Sequence, residues 1–492
     1  MTPIVIIFSI IGYFTLLMMI AWYTSRNATN DSYFLGNKSS PWYAVAFGMI
    51  GDSLSGVTFI SLPGTVTNGQ FSYMQMVLGY LLGYFIIARV LLPLYYKLNL
   101  TSIYSYLNQR FGLYSQKTGS FYFIVSRMIG AALRLYLAAG VIQLFVFDYY
   151  HVPFYVTVSI IIILMMIYTY KGGIKTLVWT DTFQSGLLLL GVILSITAIM
   201  GALDFSISDA ITQISESKYS QIFYWDVKPA NNFFKMFFSG AFIAIVMTGL
   251  DQNMMQKNLS CPNLKDAQKN IYWFSIVLVF VNLFFVGLGA MLYIYAEKQG
   301  IALPINPETG KIITDKVFPT IALNHLGMFA TIVFIVGLTA STFSSADSVL
   351  TTLTTSFCID FLRVDTRTDI TEKQKTNYRH IVHIVFAVLL LLTIVVSEML
   401  IKTNVLDAIF TVAAYTYGPL LGLFAFGLFT KINVKDIWVP VVSIISVIIC
   451  FILKAISETL LGGYKFGYEL LLLNGMLTFV GLWIIRRKVP LV

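Results

Sequence analysis

GMIGDSLSGVTFISLPG, residues 48–64, lies within an apolar stretch and yet makes a poor helix. Glycines at 48, 51 and 56 and Pro63 all weaken one. Gly costs about 1 kcal/mol and Pro about 3 kcal/mol in a helix interior. Asp52, Ser53, Ser55 and Thr58 decorate the weak point. A broken helix frees carbonyl groups. At membrane depth such backbone is tolerated only where it is buried in protein or lines a cavity. Whether residues 48–64 sit in a bilayer therefore decides the fold and the class of function together.

The rest of the chain answers that question. Its 492 residues are 57% hydrophobic and only 11% charged, with a mean hydropathy of +0.79. A soluble globular chain carries about 25% charged residues. Uncharged apolar runs recur throughout, and each approaches or exceeds the roughly 20 residues that cross about 30 Å of hydrocarbon. Thirteen spans are predicted, near residues 3–22, 43–66, 72–96, 119–146, 152–170, 177–203, 232–255, 271–296, 327–356, 380–401, 405–430, 437–455 and 467–486. The first lacks a basic leader and a small-residue cleavage site, so it reads as a retained helix and not a signal peptide. The fold class is an all-α polytopic membrane protein.

The charges orient it. With the N-terminus outside and the C-terminus cytoplasmic, cytoplasmic segments hold 20 of the 32 lysines and arginines, among them Arg26, Lys257 and Lys488. Outer segments hold 8, among them Lys402, while Arg89, Arg127, Arg134 and Lys235 fall inside spans. That excess follows the positive-inside rule. The net charge of +9 is thus a topology signal, with no call on nucleic acid.

Other chemistries find little support. Cys261, Cys358 and Cys450 are far apart, which argues against a disulfide framework or a zinc site. His380 and His383 have no Cys or carboxylate at ligand spacing. No GxxxxGK[ST] phosphate loop is present, so a gradient and not ATP is expected to supply the work. A membrane enzyme would need a catalytic His or paired carboxylates at an interface, and none is grouped. A non-transporting sensor is the other rival, and no appended signalling domain is expected.

Strongly polar groups at membrane depth mark function by default, since a charge there costs at least about 2.5–3.5 kcal/mol. Besides residues 48–64, three clusters qualify. TASTFSSADSVLTTLTTS, residues 339–356, places Ser341, Ser344, Ser345, Ser348 and Thr352 on one helical face beside Asp347. Scattered hydroxyls also serve close helix packing, but a hydroxyl face with a carboxylate suits a small hard cation. KGGIKTLVWTDTFQ, residues 171–184, puts Asp181 at the start of a span, either as a functional carboxylate or as one favoured by the helix dipole. SRMIGAALRLYL, residues 126–137, stacks Arg127 and Arg134 on one face. Arg127 either snorkels or acts; Arg134 lies deeper.

The spans also repeat. The second and the seventh, which contains Gly240 and Gly249, are both glycine-interrupted, and each begins a block of five. Five is odd, so the blocks are inverted, and interrupted helices in matching positions point to a secondary transporter's site. The expected division is 1–42, a first helix and loop; 43–203, repeat 1; 204–231, an outer loop; 232–430, repeat 2; and 431–492, two further helices.

YSYLNQRFG at 104–112, YKGGIKTLVWTD at 170–181, SSADSVL at 344–350 and YGPLLGLFAFGLF at 417–429 carry a resemblance to the sodium/solute symporters, especially the bacterial sialic acid and proline transporters. It implies the leucine-transporter-like fold, with a core of two inverted five-helix repeats. It also implies a main sodium site from the carbonyls of Gly51, Leu54 and Ser341 and the hydroxyls of Ser344 and Ser345. In sialic acid transporters of the family a second sodium site matches Asp181, Asp347 and Ser348, with Ser where this chain has Asp347. Asp52 departs from the proline permeases, whose Asp stands one residue later. Galactose-type recognition maps onto Thr58, Ala244 and Leu278, of which only Thr58 is polar.

The resemblance points to Ser53, Ser55 and Thr58 for the substrate, and the expected site adds Gln75, Arg127 and Arg134. Two arginines on one face favour a carboxylate, for which Arg offers a bidentate fork. The predicted function is sodium-coupled symport of a small organic solute across a bacterial-type cytoplasmic membrane by alternating access. The solute is expected to be an organic anion such as a sialic acid or another carboxylate, with a sugar or a proline-like amino acid as alternatives. Sodium is the coupling ion, and no obligate protein partner is expected.

Overall fold

The computed structural model describes residues 3–24, 36–400, 404–460 and 462–487. Arg26, Lys402 and Lys488, used above for orientation, lie outside them. The described residues are helical, with only two isolated β-bridges, Ile305–Ile312 and Val434–Arg486. In chain order the main helices begin with α1 (Pro3–Thr24), α2 (Trp42–Ser53), α3 (Gly56–Gly69), α4 (Tyr73–Lys97) and α5 (Leu113–Ile142). They continue with α6 (Phe154–Ala202), α7 (Phe233–Gly249), α8 (Gln252–Leu259), α9 (Leu264–Gln299) and α10 (Gly327–Phe361). The last four are α11 (Glu372–Leu400), α12 (Val405–Phe429), α13 (Val439–Leu460) and α14 (Leu470–Ile484).

Among the described residues nine helices are long and apolar enough to cross a membrane, or up to eleven if each of two bent pairs is one span. The expected thirteen is not reached on length. The shortfall lies in the fifth and thirteenth predicted spans, where Phe154–Ile167 and Leu470–Ile484 are apolar helices of fewer than 18 residues. The predicted fifth and sixth spans fall in one helical run, α6, whose long apolar part is Thr176–Ala202. Large apolar side chains such as Phe85, Ile163, Phe280, Val388 and Phe451 stand exposed on the outside. A surface so apolar belongs against lipid.

The two bent pairs are the two interrupted spans. α2 and α3 bend by 56°, and α7 and α8 by 64°. The first break lies at Leu54 and Ser55, whose ψ values of 71° and 176° leave the helical region. Pro63, counted above among the breakers, sits inside α3 instead, about two turns past the break. Glycine matters here for approach. A Cβ on Gly51 would stand 2.5 Å from Ser185 Oγ and 3.0 Å from Ser344 Oγ, and one on Gly56 would stand 2.1 Å from Thr342 Oγ1. Both glycines let the break press against α10.

That contact also resolves the cost of the hydroxyl-rich stretch. Every residue from Thr339 to Ser356 is buried. α10 is a central helix packed against α6, α5, α11, α3 and α1. Phe343, on its apolar side, meets Phe14 of α1 edge-on at 4.7 Å. No lipid reaches its hydroxyls.

Candidate functional site

Two polar centres sit at the two breaks. At the first, no backbone N–H of the described residues reaches the carbonyl oxygens of Gly51 or Leu54. A buried carbonyl left in that way needs another partner, and a bare cation provides one. Facing them across the Gly51 contact is Ser344, whose hydroxyl donates to Asp181 Oδ1 at 3.1 Å. Gly51 N donates to Ser185 Oγ at 2.8 Å, which fixes α2 to α6. Ser341, about one turn before Ser344, and Ser345, next to it, are buried and turn their hydroxyls back to Leu338 O (2.9 Å) and Thr342 O (3.0 Å). The break, Ser344 and Asp181 are therefore brought together, although the sequence reading had set Asp181 apart with Asp347 and Ser348.

The same centre holds a residue that reading misplaced. Lys257 was counted as a cytoplasmic charge, but it is 1% exposed. Its Nζ donates to Asp181 Oδ2 at 2.5 Å, to Ser348 Oγ at 2.9 Å and to Asp52 Oδ2. Lys257 lies on α8, just past the second break, so the bend of α7–α8 swings it inward. Asp181 is thus an interior carboxylate and not a solvated one at a helix start. Asp347 is fully buried, and its Oδ1 accepts from Ser348 N at 2.5 Å. Lys257 pairs with Asp52 and Asp181.

At the second break stands Asp251, another omission. Its Oδ1 accepts from Met254 N at 3.1 Å, capping α8, while Oδ2 accepts from Arg127 Nε and from Tyr417 Oη, each at 2.5 Å. Arg127 also donates to Met247 O at 3.1 Å. It does not snorkel; it ties α5 to the break. The signals were present in MTGLDQNMMQKN, residues 247–258, which is polar at the end of an apolar span and follows a glycine.

Between the breaks lies a cavity lined by Asp52, Ser53, Leu54, Ser55, Thr58, Arg127 and Arg134, with Tyr73, Tyr80 and Tyr84 on one wall. Thr58, Ala244 and Leu278 all line it, and two of these three offer only hydrocarbon. Among the described residues three buried atoms on its lining lack a hydrogen-bond partner: Arg134 Nε, Asp52 Oδ1 and Asn282 Oδ1. Native structures leave few such groups, and a polar ligand would satisfy them. Gln75 is not on this lining. Its amide donates to Ser72 O (3.2 Å) and Asn231 O (2.9 Å), and its Oε1 accepts from Tyr224 N (3.1 Å). It anchors the 204–231 loop, a role set by contacts that its position in the sequence did not reveal.

The sodium:solute symporter family model matches residues 33–436. The chain belongs to that family. It is a secondary transporter and no enzyme, and sodium is its coupling ion. The symporter is 25% identical to the sodium/sialic acid symporter SiaT of Proteus mirabilis, over 85% of this chain and 84% of that one. It is 26% identical to the sodium/sialic acid symporter NanT of Aliivibrio fischeri, over 83% and 80%. Sodium-coupled monocarboxylate transporter 1 of Xenopus laevis is 25% identical over 82% of this chain and 64% of its own length. Its fold matches that of a Na⁺-coupled sialic acid symporter solved in a substrate-bound outward-open state, with a TM-score of 0.81 at 21% identity over 98% of this chain and 99% of the other. That likeness shows the leucine-transporter-like fold.

Proposed function

We propose that the symporter imports a carboxylated organic solute, a sialic acid or a smaller carboxylate, together with sodium. The single observation that carries the substrate class is Arg134: a guanidinium 7% exposed, on the cavity wall, with Nε unpartnered among the described residues. A carboxylate would accept from its fork and offset the charge. Asp52 Oδ1 and Asn282 Oδ1 would then accept from hydroxyl or amide donors of the same solute, and Ser53, Ser55 and Thr58 complete the polar side. Apolar Ala244 and Leu278 speak against galactose-type recognition. Sialic acids and monocarboxylates, named for the relatives, share the carboxylate.

Sodium would bind at the first break, on the carbonyls of Gly51, Leu54 and Ser341 and the hydroxyls of Ser344 and Ser345. It would join α2–α3 to α10 and favour the state open to the outside. The N-terminus is placed outside and the C-terminus in the cytoplasm by the charge bias, and the repeats span 43–203 and 232–430.

A thermal-shift screen of the purified protein in sodium tests the substrate. Ligands that bind the native state raise its apparent stability. Sialic acids or monocarboxylates should stabilise it, while their amides and neutral sugars should not. Stabilisation by glucose or galactose and by no carboxylate would overturn the assignment.

A further inference from the structure

We propose that the ammonium of Lys257 is a built-in cation standing where a second sodium would otherwise bind, so that the protein binds a single sodium per cycle. This rests on the sodium-coupled reading above and deepens it. The resemblance to sialic acid transporters assigned a second sodium to positions matching Asp181, Asp347 and Ser348. In this protein Lys257 Nζ holds two of those three, Asp181 Oδ2 at 2.5 Å and Ser348 Oγ at 2.9 Å, and adds Asp52 Oδ2. An ammonium has three donors and no acceptor, and each donor is used. The oxygens that would ligate sodium point their lone pairs at Nζ. A second cation among them would meet a like charge at contact distance, inside protein where screening is weak.

The geometry also explains why a side chain can take this place. Lys257 follows the second break on α8, Asp52 precedes the first break on α2, and Asp181 and Ser348 lie on α6 and α10. One ammonium therefore joins both broken helices to the two helices that present the cation face. A sodium performing that task would leave with each cycle; a lysine stays. Removing it leaves Asp52 and Asp181 facing each other without a cation, which is the chemistry of a sodium site.

The test is a sodium titration of thermal stability in the purified protein, with choline replacing sodium to hold ionic strength. The limiting slope of stabilisation against the logarithm of sodium concentration counts the ions bound. Wild type should give one, and Lys257→Ala two. Should Lys257→Ala fail to fold, Lys257→Ala with Asp52→Asn removes one charge of each sign, keeps Asp181, and should also gain one sodium. Two sodium ions in wild type, or no gain in whichever variant folds, would overturn the proposal. Ser344→Ala in the same titration separates the readings. If it leaves wild-type stabilisation intact, the main sodium site is misassigned, while the lysine is still judged by the gain on its removal.

Discussion

Arg134 and Asp251 show how differently two buried charges act. Arg134 lines the cavity and its buried Nε has no partner among the described residues, so its contribution appears only with substrate. Arg134→Gln should weaken carboxylate binding roughly 10- to 100-fold, since a hydrogen bond to a charged group contributes about 1.5–3 kcal/mol. It should barely change the melting temperature of the ligand-free protein. Calorimetric titration beside a melting curve checks both halves. Arg134→Lys should recover only part of the loss, because an ammonium lacks the planar fork. Asp251 is the reverse case. Asp251→Asn would leave Arg127 buried without its counter-ion, and breaking such a pair costs about 3–5 kcal/mol. Melting curves should show a large loss of stability for Asp251→Asn and a smaller one for Tyr417→Phe, which removes one hydrogen bond.

At the scale of elements, the two broken helices are the working parts, and residues 48–64 disclosed the first of them. The break fell at Leu54 and Ser55, between glycines that admit α10 to close contact, while Pro63 was absorbed into α3. A methyl group at Gly56 would collide with Thr342 Oγ1, which is itself buried. Gly56→Ala should destabilise the protein by about 1–3 kcal/mol, the usual cost of overpacking, and should lower sodium affinity because the carbonyl of Leu54 shifts with it. A sodium titration of stability measures both. Ser344 and Asp181 were legible because hydroxyls and a carboxylate at membrane depth demand a reason. Lys257 was not, because a lysine just past an apolar run reads as a cytoplasmic anchor. Only the 64° bend between α7 and α8 turns it inward, and nothing in local sequence gives that angle. Gln75 failed for the opposite reason: its polar atoms are consumed by a loop distant in sequence.

For the molecule as a whole, the alternation of apolar runs and basic loops was legible because lipid imposes it on every span. The count was less so, since Leu470–Ile484 is shorter than the apolar run that predicted it and the fifth and sixth predicted spans fall in one helical run. The orientation has its own check. Lys218, in a loop, and Lys373, in the first turn of α11, are exposed and expected on opposite sides, and the native Cys261, Cys358 and Cys450 are buried. In intact cells a membrane-impermeant maleimide should label Lys218→Cys and leave Lys373→Cys unlabelled until the membrane is opened. Sodium removal should abolish accumulation of the solute at any pH that keeps its carboxylate ionised. The most direct measurement is uptake of a labelled carboxylate, chosen by the stability screen, into proteoliposomes with sodium outside and none inside. Wild type should concentrate it, and replacing sodium by choline or Ser344 by Ala should reduce uptake to the level of empty vesicles. Undiminished accumulation in choline or in the Ser344→Ala protein would contradict sodium coupling through the first break.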